Sequence, residues 1–257
     1  MHTVDFANDT NGARLTINQW VSDQTQAKIP NLLAPGVLDP QTVFVLTNAV
    51  YFKADWQAPF DPNSQNGTFN APSGPIQVPM MTRAFGTVSA WSGTGYHAAT
   101  MPYVGGTTSM VLIVPDAGTF DAFEAALSAD AFDAIVQGSP TMGVFLTMPR
   151  FKTDASFGLN QVLSKMGMPD AFDATVADFS GIDGQHDIVL TAVVHQALIT
   201  VDEKGTTAAA ATAVVGGTVD GPSGEPLIVD RPFIYAIRDD ATGTILFLGR
   251  VLDPSKM

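Results

Sequence analysis

The stretch that decides the reading is Val201-Asp202-Glu203-Lys204-Gly205-Thr206-Thr207-Ala208-Ala209-Ala210-Ala211-Thr212-Ala213, part of the longer run EKGTTAAAATAVVGGTVDGPSGEP from Glu203 to Pro226. It lies between two apolar, strand-like segments and lacks the turn chemistry of a hairpin. From Gly205 to Val219 it carries no charge and no proline, and nothing bulky up to Ala213. Composition alone reads it as a surface linker or an alanine helix. The order of residues supports a second reading, a loop built to enter a sheet. Such a loop needs a swivel, which Gly205 supplies, small inward side chains, and no buried charge or missing N–H. If Thr206 faces inward, strand period two turns Ala208, Ala210, Thr212 and Val214 inward as well. Glu203 and Lys204 sit just outside the window on one side, Asp220 and Pro222 on the other.

Outward from this loop the chain alternates mostly strands with a few peripheral helices. Asp9 to Gly12 offers caps for a helix carrying Ala13, Ile17, Trp20 and Val21, ending before Ile29-Pro30. Thr42 to Phe52 is β-rich and nearly uncharged, as in a strand buried on both faces. Ala54 to Pro79 is rich in Pro, Asn and Gly and reads as a long irregular connection. Strands are predicted near 78–83, 87–91, 98–103, 109–114 and 144–151. Helices are predicted around Phe120–Leu127, Phe132–Val136 and Phe157–Met166. A long strand spans Val189 to Val201, and Phe233–Arg238 pairs with Thr244–Val251 across a polar loop ending in Gly243. This order is α+β rather than βα alternation.

Composition narrows the function. The 257 residues carry 12 Lys plus Arg against 25 Asp plus Glu, a formal charge of −13, with 46% hydrophobic residues. That balance argues against nucleic-acid binding, which needs clustered basic residues. No run of 18 apolar residues marks a membrane span. The absence of cysteine removes disulfides, thiol catalysis and thiolate metal sites. Gly93-Thr94-Gly95-Tyr96-His97-Ala98 matches G-x-G-x-x-A, with Asp116 about 20 residues on. Pro102, Gly105 and Gly106 interrupt the helix that fingerprint requires, so dinucleotide binding is rejected. No G-x-S-x-G elbow, P-loop or H-E-x-x-H occurs, and His2, His97, His186 and His195 are scattered. No cofactor or metal is expected.

The segment Val201–Ala213 closely resembles the proximal hinge of the reactive loop in serpins. Further motifs of that family occur in its order. They are Asn18-Gln19-Trp20-Val21 with Thr25 and Lys28-Ile29, Leu46-Thr47-Asn48-Ala49-Val50-Tyr51-Phe52-Lys53 with Trp56, and Val78-Pro79-Met80-Met81. Val193-Val194-His195-Gln196-Ala197, Asp230-Arg231-Pro232-Phe233 and Phe247-Leu248-Gly249-Arg250-Val251 follow, up to Asp253-Pro254. The resemblance implies a single serpin domain over 1–257 with a large mixed sheet A, sheets B and C, peripheral helices, and a reactive loop at about 204–226.

The resemblance also implies a mechanism without catalysis by this chain. A target protease attacks the loop as a substrate and forms an acyl-enzyme. The cleaved loop inserts into sheet A as a new strand, and the trapped protease is distorted before it deacylates. Metastability held by a kinetic barrier supplies the energy. Counting from Glu203 places the reactive bond at Val219–Asp220, and counting back from Pro232 points nearer Gly221. Valine there, after Gly217 and Thr218, suits an elastase-like serine protease, with a cysteine protease as an alternative target; cleavage after Asp220 by an Asp-specific protease ranks well behind. The hinge comprises Glu203, Gly205, Thr206, Thr207, Ala208, Ala209, Ala210, Ala211 and Thr212. Thr207 departs from the acidic residue usual in that hinge. Asn48 and His195 match a hydrogen-bonded cluster beneath the sheet opening, and Trp56 matches the tryptophan where the loop first enters. A core histidine and a plain core tryptophan are the alternatives.

By resemblance, several helices and at least two strands precede the position of Val4 in full members. The chain therefore reads as the C-terminal two-thirds of the fold, without those helices and the serines that partner Asn48 and His195. The resemblance implies a monomer acting outside the cell, although no signal peptide opens the chain and an intracellular site stays open. The alternative reading is a non-inhibitory serpin-fold protein or an inactive fragment.

Overall fold

The computed structural model describes residues 2–83, 88–138, 141–142, 144–206 and 226–256. Helix α1 (Thr10–Gln24) leads to strands β1 (Phe44–Tyr51) and β2 (Ala54–Asp55). Strands β3 (Gln65–Ala71), β4 (Gly74–Arg83), β5 (Ser89–Gly93), β6 (Tyr96–Pro102) and β7 (Thr108–Pro115) follow. Helices α2 (Phe120–Ala126) and α3 (Ala129–Val136) precede β8 (Thr141–Met142), β9 (Leu146–Pro149) and β10 (Phe151–Gly158). After α4 (Asn160–Lys165) and α5 (Ser180–Asp183) come β11 (Leu190–Val201), β12 (Gly205–Thr206), β13 (Leu227–Ile228), β14 (Phe233–Asp239) and β15 (Ile245–Val251). Contacts divide the chain into two compact units, one of residues 1–51 and 154–198, the other of residues 52–153 and 199–257.

In the first unit β1 and β11 run parallel, paired from Phe44↔Leu190 to Tyr51↔Leu198. Helix α1 covers them because Ala13, Ile17 and Val21 recur at helical spacing, and Val21 packs with Ile29, Leu33, Val194 and Leu198. Asp9 caps the helix by accepting the Gly12 N–H at 2.9 Å. The buried Asn18 amide donates to Leu33 O at 2.9 Å and accepts from Leu33 N at 2.8 Å, which holds the returning chain against the helix. Trp20, on the other face, is exposed. The expectation of a strand buried on both faces fails for β1. Val45 and Ala49 pack against the α1 side, while Leu46 and Asn48 on the opposite face are exposed.

In the second unit a six-stranded antiparallel sheet has the order β15-β14-β7-β6-β5-β8, and a four-stranded sheet has the order β13-β9-β4-β3. Strand β7 divides its side chains between two cores, as a strand of period two must when both faces are covered. Met110, Leu112 and Val114 enter the larger core with Phe69, Met81, Phe151 and Tyr235, and Val111 and Ile113 pack with Phe132 and Ile135 of α3.

Two segments depart from the sequence reading. The supposed irregular connection contains the β3–β4 hairpin, paired from Gln65↔Met80 to Ala71↔Gly74. Phe157, read as the start of a helix, belongs to β10, and α4 is confined to Asn160–Lys165. Gly93-Thr94-Gly95 is the turn between β5 and β6, so no helix follows it to hold a phosphate.

Candidate functional site

The described part of the hinge is a tight reversal from β11 into β12. Asp202 builds it: its Oδ1 accepts from the N–H groups of Lys204 (3.0 Å) and Gly205 (3.2 Å), and its own N–H donates to Gly205 O at 3.0 Å. The remaining carbonyls of the turn are occupied from one neighbouring segment. Trp56 Nε1 donates to Asp202 O (3.0 Å), Phe60 N to Glu203 O (2.8 Å) and Trp56 N to Lys204 O (2.7 Å). Trp56 is thus an anchor of the turn, and its indole stacks on Tyr103 with ring centroids 4.4 Å apart and planes 11° off parallel.

Strand β12 is antiparallel to both neighbours. Thr206 pairs with Val201 on one side, and Gly205 and Thr206 pair with Asp55 and Ala54 on the other. Gly205 does not have a left-handed backbone, so the expected swivel is not what requires glycine there. Close approach requires it, because a Cβ would lie 2.2 Å from Ala54 O and 2.6 Å from Asp55 Cα. Thr206 faces inward with no exposed surface, and its hydroxyl shares a 2.8 Å hydrogen bond with the Tyr103 hydroxyl. Burial pushes the Tyr103 phenol well above its ordinary pKa, with the Thr206 hydrogen bond opposing.

Glu203, expected just outside the buried window, is itself buried. Its carboxylate accepts from Arg150 Nε at 2.7 Å, pairs with Arg150 Nη2 at 2.6 Å, and accepts from the Ser64 hydroxyl. Below the turn the guanidinium of Arg83 lies 5.6 Å from the Phe60 ring centroid, and burial draws its pKa down to about 10. Sequence reasoning missed Ser64, Tyr103, Arg150 and Asp202. Only Asp202 is adjacent in sequence, and only its Asx-turn spacing to Lys204 and Gly205 offered a local signal.

Asn48 and His195 belong to the first unit and face each other in register across the β1–β11 pair. Their side chains share no hydrogen bond; Asn48 is exposed, and the His195 ring stacks on Phe157 at 6.4 Å. The two residues are aligned in register without a direct hydrogen bond between them. Thr207, Ala208, Ala209, Ala210, Ala211 and Thr212 of the hinge lie outside the described residues, as do Thr218, Val219, Asp220 and Gly221 of the reactive bond. Among the described residues no group of three His, Asp or Glu is placed to hold a metal, and no helix is long and apolar enough to cross a membrane.

Mixed sheets with few helices, together with the solved structures this chain superposes on, define an α+β protein of the serpin fold. The family model described as Serpin (serine protease inhibitor) matches residues 1–254, and the chain belongs to the serpin family. It is 41% identical over 256 residues to an uncharacterised serpin-like protein of Thermococcus kodakarensis, covering 98% of this chain and 59% of that protein. It is 35% identical to the leukocyte elastase inhibitor of Homo sapiens, covering 98% of this chain and 69% of the relative. Among solved structures, uncleaved ovalbumin superposes with a TM-score of 0.87 at 28% identity, covering 98% of this chain and 69% of that one. Serpin48 of Tenebrio molitor superposes with a TM-score of 0.85 at 32% identity, covering 97% and 66%. The chain thus spans about six-tenths to seven-tenths of the length of these relatives. Its relatives include proteins named as inhibitors of leukocyte elastase.

Proposed function

We propose that the chain carries the working parts of an inhibitory serpin, a suicide substrate whose loop inserts into the sheet after cleavage. The observation that carries this reading is how β12 is paired. In the first unit β1 and β11 pair directly along eight registered residues, with no strand between them. In the second unit the continuations of the same two runs, Ala54–Asp55 and Val201, each pair with β12 instead, antiparallel on both sides. A strand continuing from Thr206 in the same sense runs antiparallel to β11, which is unbroken from Leu190 to Val201. Its inward positions, Ala208, Ala210, Thr212 and Val214, are small and uncharged, so their burial carries no charge penalty.

The reactive bond in this reading is Val219–Asp220, and the target is an elastase-like serine protease with a small apolar pocket. No Lys or Arg occurs from Thr206 to Leu227, which disfavours a target that cleaves after basic residues. A site of action outside the cell belongs to the same proposal, although one relative at 36% identity is named an intracellular coagulation inhibitor. Incubation with an elastase-like serine protease, followed by a denaturing gel and mass mapping, tests the reading. A covalent complex and a new terminus at Asp220 are expected. Cleavage without any complex refutes inhibition, and a terminus elsewhere refutes the bond.

A further inference from the structure

Two triplets of this chain, Asn8-Asp9-Thr10 and Asn66-Gly67-Thr68, have the Asn-x-Thr pattern that accepts an N-linked glycan, with no proline between. The pattern alone does not choose between them, but their folded surroundings do. A glycan is bulky and needs a surface asparagine from which it can extend into water.

Asn8 is already committed. Its side-chain amide donates to both carboxylate oxygens of Asp5, at 3.2 and 3.0 Å, and its backbone N–H donates to Asp5 Oδ1 at 2.8 Å. The next two residues start α1: Asp9 caps the helix, and the Thr10 hydroxyl donates to Phe6 O at 2.6 Å. A sugar on the Asn8 amide would compete with the Asp5 contacts that lead the chain into α1.

Asn66 has no such commitment. It lies on β3, the outermost strand of the four-stranded sheet, with β4 on one side and no strand on the other among the described residues. Strand alternation sends Phe69 and Ala71 into the core and leaves Asn66, Thr68 and Asn70 exposed on the opposite face. The asparagine and the threonine of the triplet therefore emerge on the same open face. The Asn66 amide makes no side-chain hydrogen bond among the described residues. Thr68 Oγ1 accepts from Gln77 Nε2 at 2.8 Å, so its own O–H stays available. Gly67 turns inward, where a Cβ would fall 2.7 Å from Met80 Cγ, so packing itself requires the glycine between them.

We propose that Asn66 is an N-glycosylation site and that Asn8 is not. In the transfer, Asn66 Nδ2 bonds to the anomeric carbon of a glycan carried on a lipid pyrophosphate. The bond from that carbon to the pyrophosphate oxygen breaks, the lipid pyrophosphate leaves with the electron pair, and one amide proton is released. The transferase and its donor belong to a glycosylating export compartment, so the proposal rests on the reading that the protein acts outside the cell. A glycan at Asn66 also shields β3, because an open edge strand is a template for pairing with another chain.

The test expresses the chain behind a cleavable signal peptide in cultured eukaryotic cells. Secreted and cell-associated chains are both weighed, before and after enzymatic removal of N-glycans. One glycan per chain is expected, with Asn66 converted to Asp on its removal. Asn66→Gln and Thr68→Val each abolish the glycan, and Asn8→Gln leaves it unchanged. A chain without glycan in both fractions overturns the proposal, as does a glycan that survives Asn66→Gln or one mapped to Asn8. If Asn66→Gln fails to fold, the position of the new Asp in the unaltered chain still decides. The added signal peptide supplies the compartment, so a missing glycan counts against Asn66 and not against the place of action. Recovery of the native protein only from inside its own cells counts against the place of action alone.

Discussion

Thr206→Val tests whether the first inward hinge residue is held by its hydrogen bond to Tyr103. The substitution keeps shape and burial and removes only the hydroxyl, which lies 2.8 Å from the Tyr103 hydroxyl in a site without exposed surface. The phenol is then left buried without that partner, at a cost of about 1–3 kcal/mol. Tyr103→Phe does the converse and costs a similar amount, because the ring and its stack on Trp56 remain. In the double variant both polar groups are gone, and an apolar pair of the same shape is nearly neutral. The two changes are therefore strongly non-additive, with a coupling that equals the sum of the two single losses, about 2–6 kcal/mol. Urea unfolding followed by tryptophan fluorescence measures it, and each single variant also melts lower by about 2–4 °C per kcal/mol lost. Additivity within about 0.5 kcal/mol shows that the contact does not hold the hinge and refutes the reasoning.

Glu203→Ala removes the carboxylate shared by Arg150 and Ser64. Because the Arg150 side chain is 39% exposed, the expected loss is about 1–3 kcal/mol, short of a fully buried pair, and a shifted urea midpoint reads it. The proposed insertion predicts a parity effect in the loop: Ala208→Glu abolishes the covalent protease complex, whereas Ala209→Glu leaves it, as a denaturing gel will show. Equal loss from both contradicts the inward register. Asp173, Asp239 and Asp253 have pKa values held below the ordinary 3.8, chiefly by the hydroxyls of Thr175, Thr242 and Ser255. A depressed folded-state value means stabilisation present above the unfolded value and lost as pH falls through the folded one. The melting midpoint should thus decline as pH drops below 3.8, and removing the three hydroxyls together should flatten that decline.

The inward side of Thr206 was legible because its requirement is local: a small uncharged residue in a strand of period two. Strands β11, β14 and β15 were legible for the same reason, each being an apolar run bounded by polar turns. Strand β3 was not, since only Gly67, Phe69 and Ala71 face its core and Gln65, Asn66, Thr68 and Asn70 read as loop. Phe157, Val162 and Met166 fit a helical period, yet Phe157 ends β10, where the stack on His195 outweighs local preference. Glu203 read as a boundary charge because its partners Arg150 and Ser64 lie 53 and 139 residues away in sequence. Thr206 and Tyr103, 103 residues apart, are joined only by the fold. Packing, rather than sequence order, shows what fastens the turn from Asp202 to Thr206.

The central claim is that the loop beyond Thr206 can enter between β1 and β11. The most direct measurement is the thermal melt of the chain before and after a single proteolytic cut near Val219. Insertion predicts a rise of about 10 °C or more, equivalent to about 3–5 kcal/mol at this chain length. An unchanged or lowered midpoint after complete cleavage contradicts it.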